Sequence, residues 1–192
     1  MRVVEGTTVV DDLDGFVAAL GDVGDAHDCV VQAFDARYVA GREHLATALR
    51  YAARAHRRGD AIARDPAVEV LLYAAGRRQI DRALAMGVSE GEHDVAVVVA
   101  TDFPDAPLDE RDTGQNDSDT AREERDAERE CATAVADLLD APQSLDAGET
   151  FAATDRERVR EFFDVGDREL TATDAPLADL VRERVVLLSI DH

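Results

Sequence analysis

Residues 94–101 read DVAVVVAT, a near-continuous run of apolar, mostly β-branched side chains. A strand with one solvated face alternates apolar and polar residues. A run without that alternation fits an interior strand covered on both faces. The chain therefore needs apolar elements on two sides of a sheet, which restricts it to a layered domain. Its 192 residues are enough for one such domain with a real core. The expectation is an α/β (α+β) fold, a single compact domain over 1–192 with a small mixed sheet packed by several helices.

The rest of the chain supplies those helices. Residues 2–10 read as one or two short strands, and Asp11 or Asp12 can cap a helix to about Leu20, after which Gly21 and Gly24 break the chain. CVVQAF (29–34) is a second strand ending at Asp35. A long helix follows from about Arg42 to Arg58, with Leu45, Leu49 and Ala52/Ala53 as its apolar stripe and Gly59 as its stop. Asp65-Pro66 opens another, aspartate at the cap and proline in the first turn, with Val68, Leu71, Leu72 and Ala75 inward. Past Gly76, RRQIDRALAM predicts a third helix ending at Gly87, with Ile80, Ala83 and Leu84 inward and Arg77 pairing with Asp81 at i,i+4.

The second half begins differently. From Phe103 to about Glu128 there are two prolines, almost no large apolar residues and a strong acidic excess. That composition predicts a solvated, disordered acidic insertion at about 104–128, its end joining the next helix. A metal site among its aspartates lacks any calcium-loop pattern. An amphipathic helix is expected over 129–139, with Val135, Leu138 and Leu139 inward. Thr154 and Glu157 read as a capping box for a helix through Phe162 and Phe163, stopped near Gly166. Pro176 opens a last helix with Leu177, Leu180, Val181 and Val185 at helical spacing. The tail VVLLSIDH is apolar enough to pack on the sheet or dock on a partner. Cys29 and Cys131 read as two buried thiols, because their spacing supports neither a disulfide nor a metal pair. The first residues lack a signal-peptide pattern and no run is long and apolar enough for a membrane span, so a soluble, cytoplasmic protein is expected.

Charge is distributed unevenly. Arg37 to Arg82 carry ten arginines against five carboxylates, about +5, within a chain of formal net charge −21. All 21 basic residues are arginine. Arginine suits planar, bidentate contact to phosphate or carboxylate, although a GC-rich genome gives the same bias, and a face that balances the acidic remainder is the plain alternative. The acidic excess, with no lysine and few aromatics, matches a cytosolic protein adapted to molar salt, where a Debye length of ~3 Å screens repulsion in an acidic coat. Arg50, Arg54 and Arg58 line one helix face at intervals of four.

Chemistry of other kinds is absent. There is no Walker loop, dinucleotide-binding glycine fingerprint, zinc-type Cys/His spacing or nucleophile elbow. The histidines are scattered, and His44, beside Glu43, reads as a helix-surface imidazole with a phosphate contact as the alternative. No catalytic constellation, metal site or cofactor is expected. The sequence points to a binding or regulatory module, with a stand-alone small-molecule enzyme as the weakest reading.

Three pieces of the stretch Val31–Gly87 are more specific: Gly41-x-Glu43-His44-Leu45, Glu69-x-Leu71-Leu72-Tyr73 and Gly76-x-Arg78-Gln79-Ile80. With Leu180-Val181-x-Glu183-Arg184-Val185 near the end, they resemble the small regulatory subunit of the archaeal and eukaryotic KEOPS complex, the TPRKB family in animals. A haloarchaeal-type version fits the composition.

The resemblance implies a non-catalytic subunit of the complex that installs threonylcarbamoyladenosine in tRNA. It implies two partners: a kinase-like ATPase subunit, which this subunit binds and stimulates, and tRNA, recruited through its single-stranded 3′ CCA end. Set beside the arginines, it makes Arg57, Arg58, Arg64, Arg77 and Arg78 candidate tRNA contacts, because guanidinium groups grip phosphates and stack on bases. Gln79 is either a base-edge partner or a residue packed between helices, and Arg54 and Arg82 are set aside as peripheral. The ATPase-binding surface is placed on the helix pair and the C-terminal tail. The alternative is a protein–protein regulator of the ATPase whose arginines meet an acidic partner and not RNA.

Overall fold

The computed structural model describes residues 1–101, 103, 120–144, 151–172 and 176–190. Its centre is the expected strand, β3 (Gly91–Ala100), which lies inside a sheet with β1 (Arg2–Val10), β2 (Val30–Asp35) and β4 (Asp140–Ser144) in the order β2-β3-β1-β4. β3 pairs with β1 from Arg2↔Val99 to Val10↔Gly91, and with β2 from Val30↔Ala100 to Asp35↔Val95. The expected α/β (α+β) class holds, but every pairing is antiparallel where a mixed sheet was expected. The reason is topological. α1 (Leu13–Ala26) connects two strands that run the same way, and β3 inserts between them, so no parallel neighbours remain among the described residues.

Every residue from Val95 to Ala100 is buried, as a doubly covered strand requires. Val95, Val97 and Val99 face one layer, where they meet Leu20 of α1 and Cys131 and Val135 of α5 (Thr120–Ala136). Ala96, Val98 and Ala100 face the other. There α2 (Arg42–Arg58), α3 (Pro66–Ala75), α6 (Arg156–Phe162) and α8 (Leu177–Leu188) complete a larger core.

Several expectations shift in physically readable ways. Asp12 caps α1, its carboxylate accepting the Gly15 amide at 3.2 Å, but the helix runs past Gly21 and Gly24 to Ala26. Gly24 is not a breaker: a Cβ there would stand 2.6 Å from the Cys29 carbonyl oxygen, so glycine lets α1 close on the start of β2. The expected ten-residue helix after Gly76 is α4 (Ile80–Ala83) followed by a 3-10 turn over Leu84–Met86. A three-residue repeat turns Ala83 and Met86 inward. Ile80 and Leu84, expected inward, are 47% and 55% exposed.

α5 begins at Thr120, inside the stretch expected as an insertion, whose 104–119 part lies outside the described residues. It ends at Ala136, short of the expected 139, and leaves Leu139 buried but Leu138 exposed. Asp155, not a Thr154–Glu157 box, caps α6: its carboxylate accepts the Glu157 and Arg158 amides at 3.0 and 3.1 Å. Thr154 Oγ1 instead donates to the Val39 carbonyl at 2.9 Å. β4 and the short α7 (Asp167–Ala172) were not anticipated. The apolar tail packs through Val185 and Leu188, while Leu187 and Ile190 stay exposed. Among the described residues no helix is long and apolar enough to cross a membrane.

Candidate arginine-lined site

α2 and the segments on either side of α3 carry the arginines, and two buried polar side chains fix how these helices meet. His44 is not on the surface. Its Nδ1 accepts the Ala40 amide at 3.2 Å and its Nε2 donates to the Ala74 carbonyl at 2.8 Å. Complete burial pushes its pKa down from 6.5 to about 4, against the opposing pull of the Ala74 carbonyl, so the ring is neutral. Glu69, fully buried on α3, accepts the Ile62 amide at 3.1 Å and the Ala63 amide at 2.7 Å. A carboxylate held by two amides makes the connection between α2 and α3 a fixed loop. Gly59 at φ +73° and Gly76 at φ +60° end the two helices in left-handed turns that favour glycine.

This frame disperses the candidate residues. Arg58 lines a cavity of about 310 Å³ with Arg54, Tyr51, Asp60, Tyr73 and, from the end of α8, Val186, Ser189 and Ile190. Tyr51 and Tyr73 stack there, with ring centroids 6.5 Å apart and planes at 19°. The Arg50 guanidinium lies 5.4 Å from the Tyr51 ring centroid. The Tyr73 phenol is raised, first by burial and then by the Glu69 carboxylate, while the Arg78 guanidinium pulls it down. Arg78 is exposed just past the end of α3. Arg64 and Gln79 are exposed, and Arg57 is half-buried on the last turn of α2.

Arg77 turns away from Asp81. It donates to the Phe162 carbonyl at 2.7 Å, with its guanidinium 5.7 Å from the Phe162 ring centroid, which ties the end of α3 to α6. These contacts tie Arg77 into the packing of the fold. The signal for the cavity was present in the sequence: Tyr51, Arg54 and Arg58 follow at i, i+3 and i+7, one helix face. Arg54 was set aside, and Tyr73 is brought in only by the packing of α3 on α2.

One grouping resembles a hydrolytic triad without its geometry. Ser89 Oγ lies 3.1 Å from His93 Nε2, but His93 Nδ1 is 3.8 Å from Asp35 Oδ2, beyond hydrogen-bond reach, and finds no hydrogen-bond partner among the described residues. Asp35 is instead gripped by Arg37, whose Nε and backbone amide both donate to Oδ1, at 2.9 and 3.0 Å. The imidazole is not oriented by its carboxylate as acyl-transfer chemistry requires. No group of His, Cys, Asp and Glu among the described residues is arranged to hold a metal ion.

A family model described as kinase binding protein CGI-121 matches residues 18–189, from within α1 through the end of α8. The chain belongs to the CGI-121 family. It is the family already suggested by the Glu69–Tyr73 and Gly76–Ile80 motifs, and those motifs now have structural roles. In this CGI-121 protein Glu69 clamps a loop, Tyr73 lines the cavity and Gly76 turns the chain toward α4. A kinase-binding description fits a regulatory role. Comparison with curated proteins finds no match.

Proposed function

We propose that this chain is the non-catalytic regulatory subunit of a KEOPS complex, binding and stimulating the kinase-like ATPase subunit and recruiting tRNA through its 3′ CCA end. Membership of the kinase-binding family over residues 18–189 is the observation that carries the reading. The tRNA half draws support from the cavity beside Arg54 and Arg58. Guanidinium groups there have the shape to grip phosphates, and half-buried Tyr51, backed by the buried Tyr73 ring, supplies aromatic surface of the kind on which unstacked bases lie. Exposed Arg64 and Arg78, with Gln79 next in the chain, and Arg57 extend the candidate contacts. A net charge of −21 without lysine is in keeping with a salt-adapted, haloarchaeal-type version working in the cytoplasm. In molar salt counterion release contributes little, so short-range bonding and stacking carry the affinity.

A protein–protein regulator without RNA contact is the second reading. It is favoured by Arg77, which the fold uses for its own packing. Fluorescence anisotropy in molar potassium chloride with intact tRNA and tRNA lacking CCA separates the two. The expected result is about tenfold tighter binding of intact tRNA, the worth of stacking one base. Equal, weak binding of both would leave the protein–protein regulator standing. Failure to form any complex with the kinase-like subunit, measured by calorimetry, would remove both readings.

A further inference from the structure

The layer opposite the arginines holds the chain's two cysteines. Cys29 precedes β2 and Cys131 lies on the buried face of α5. Both thiols reach the end of α1: Cys29 Sγ donates to the His27 carbonyl at 3.4 Å and Cys131 Sγ to the Val23 carbonyl at 3.9 Å. Those carbonyls belong to one turn of chain, which brings both sulfurs to one region, and Cys29 packs against the cluster of buried residues that contains Cys131. Gly24 in the same turn allows the close approach. The two positions also differ in access. Cys131 is fully buried, whereas Cys29 is half-buried and lines an open cavity of about 680 Å³ with Gly21, Asp25, Asp28 and Thr101.

We propose that Cys29 and Cys131 are a peroxide-oxidisable pair that closes a disulfide, fastening α5 to the start of β2. In the first step the Cys29 thiolate attacks one oxygen of hydrogen peroxide. The O–O bond breaks, and the departing hydroxide takes up the thiol proton as water. In the second, the Cys131 sulfur attacks the Cys29 sulfenic acid, its S–O bond breaks, and hydroxide leaves with the second thiol proton as another water. Two thiols lose two electrons and two protons, and one peroxide becomes two waters. Burial, and then the Cys131 thiol, push Cys29 up to about 12, so thiolate is scarce and closure is slow at neutral pH. The inference is independent of the kinase-binding reading.

The test treats the native, full-length protein with hydrogen peroxide, then unfolds it in N-ethylmaleimide and weighs it. The expected product is about 2 Da lighter than the reduced chain, resists alkylation at both cysteines and is restored by dithiothreitol. Its Tm rises by roughly 5 °C or more, because the bond closes a long loop. Oxygen added to Cys29 while Cys131 remains alkylatable overturns the proposal, as does a disulfide that forms only in unfolded protein or lowers Tm. In Cys131→Ser the closed product is expected to vanish and oxygenated Cys29 to accumulate. If that variant does not fold, the wild-type masses decide alone.

Discussion

His44 Nε2 stands 2.8 Å from the Ala74 carbonyl, so one neutral imidazole on α2 satisfies the last turn of α3. The group titrates near 6.5 when unfolded and at about 4 when folded, depressed by burial. Between these values the unfolded chain binds the proton and the folded chain does not, so stability falls as pH drops from about 6.5 toward 4 and levels below it. The window corresponds to about 3 kcal/mol. Urea midpoints across this range should show the slope, and His44→Asn should remove its share. An unchanged slope in the variant would show that other groups cause it.

Glu69 supports the connection that carries Arg64. Glu69→Ala leaves the Ile62 and Ala63 amides without their acceptor and should cost about 3 kcal/mol, with faster hydrogen exchange at both amides. Glu69→Gln keeps one acceptor oxygen and should cost about half as much. A Glu69→Ala variant within 0.5 kcal/mol of wild type, a difference denaturant titration resolves, would mean the loop holds itself.

Two glycines three residues apart on α1 should respond with opposite sign. Among the described residues nothing lies within 4 Å of a Cβ at Gly21, so Gly21→Ala should stabilise by about 0.5–1 kcal/mol through helix propensity. At Gly24 the Cys29 carbonyl oxygen stands at 2.6 Å, a backbone atom that yields only if β2 shifts. Gly24→Ala should destabilise by about 2 kcal/mol. Thermal melts of the pair decide it, and matching signs would contradict the packing.

The arginines should separate into two classes. Arg58→Ala should weaken tRNA binding by about tenfold or more in anisotropy at constant stability, the scale of one charge-assisted hydrogen bond of about 1.5 kcal/mol or more. Arg77→Ala should lower stability by about 1–2 kcal/mol through the lost Phe162 carbonyl bond and ring contact. A reversed pattern would move the RNA contact to the α3–α6 side.

Alkylation of reduced Cys29 by iodoacetamide should be slow at pH 7 and rise about tenfold for each pH unit up to 10, because a thiol lifted to about 12 is mostly protonated throughout. A plateau near pH 9 would mean an ordinary exposed thiol.

Much of this was readable because local rules and tertiary packing agree. The 94–101 run, the Asp65-Pro66 start and the Gly59 stop each meet a requirement set within a few residues. The misses arise where distant parts of the chain decide. Gly24 looks like a breaker until the Cys29 carbonyl is beside it. His44 looks like a surface residue until α3 covers it, and Arg77 has an adequate partner in Asp81 until α6 brings Phe162. Ile80 and Leu84 fit a helical period that the chain leaves for a 3-10 turn. The cavity has the same origin: Arg54 and Arg58 are visible in the sequence, but its aromatic floor and its α8 wall come from packing.

The alternation of side chains along β3 also governs how mutational effects combine. Val95, Val97 and Val99 belong to one cluster of buried residues, and Ala96, Val98 and Ala100 to the other. Val135 and Leu71 sit in different clusters with the sheet between them, so their truncations to alanine should be additive within about 0.5 kcal/mol. Leu71 and Leu72, within one cluster, should couple. The sheet acts as an energetic insulator, and stabilising substitutions placed under α5 leave the arginine-bearing layer unperturbed.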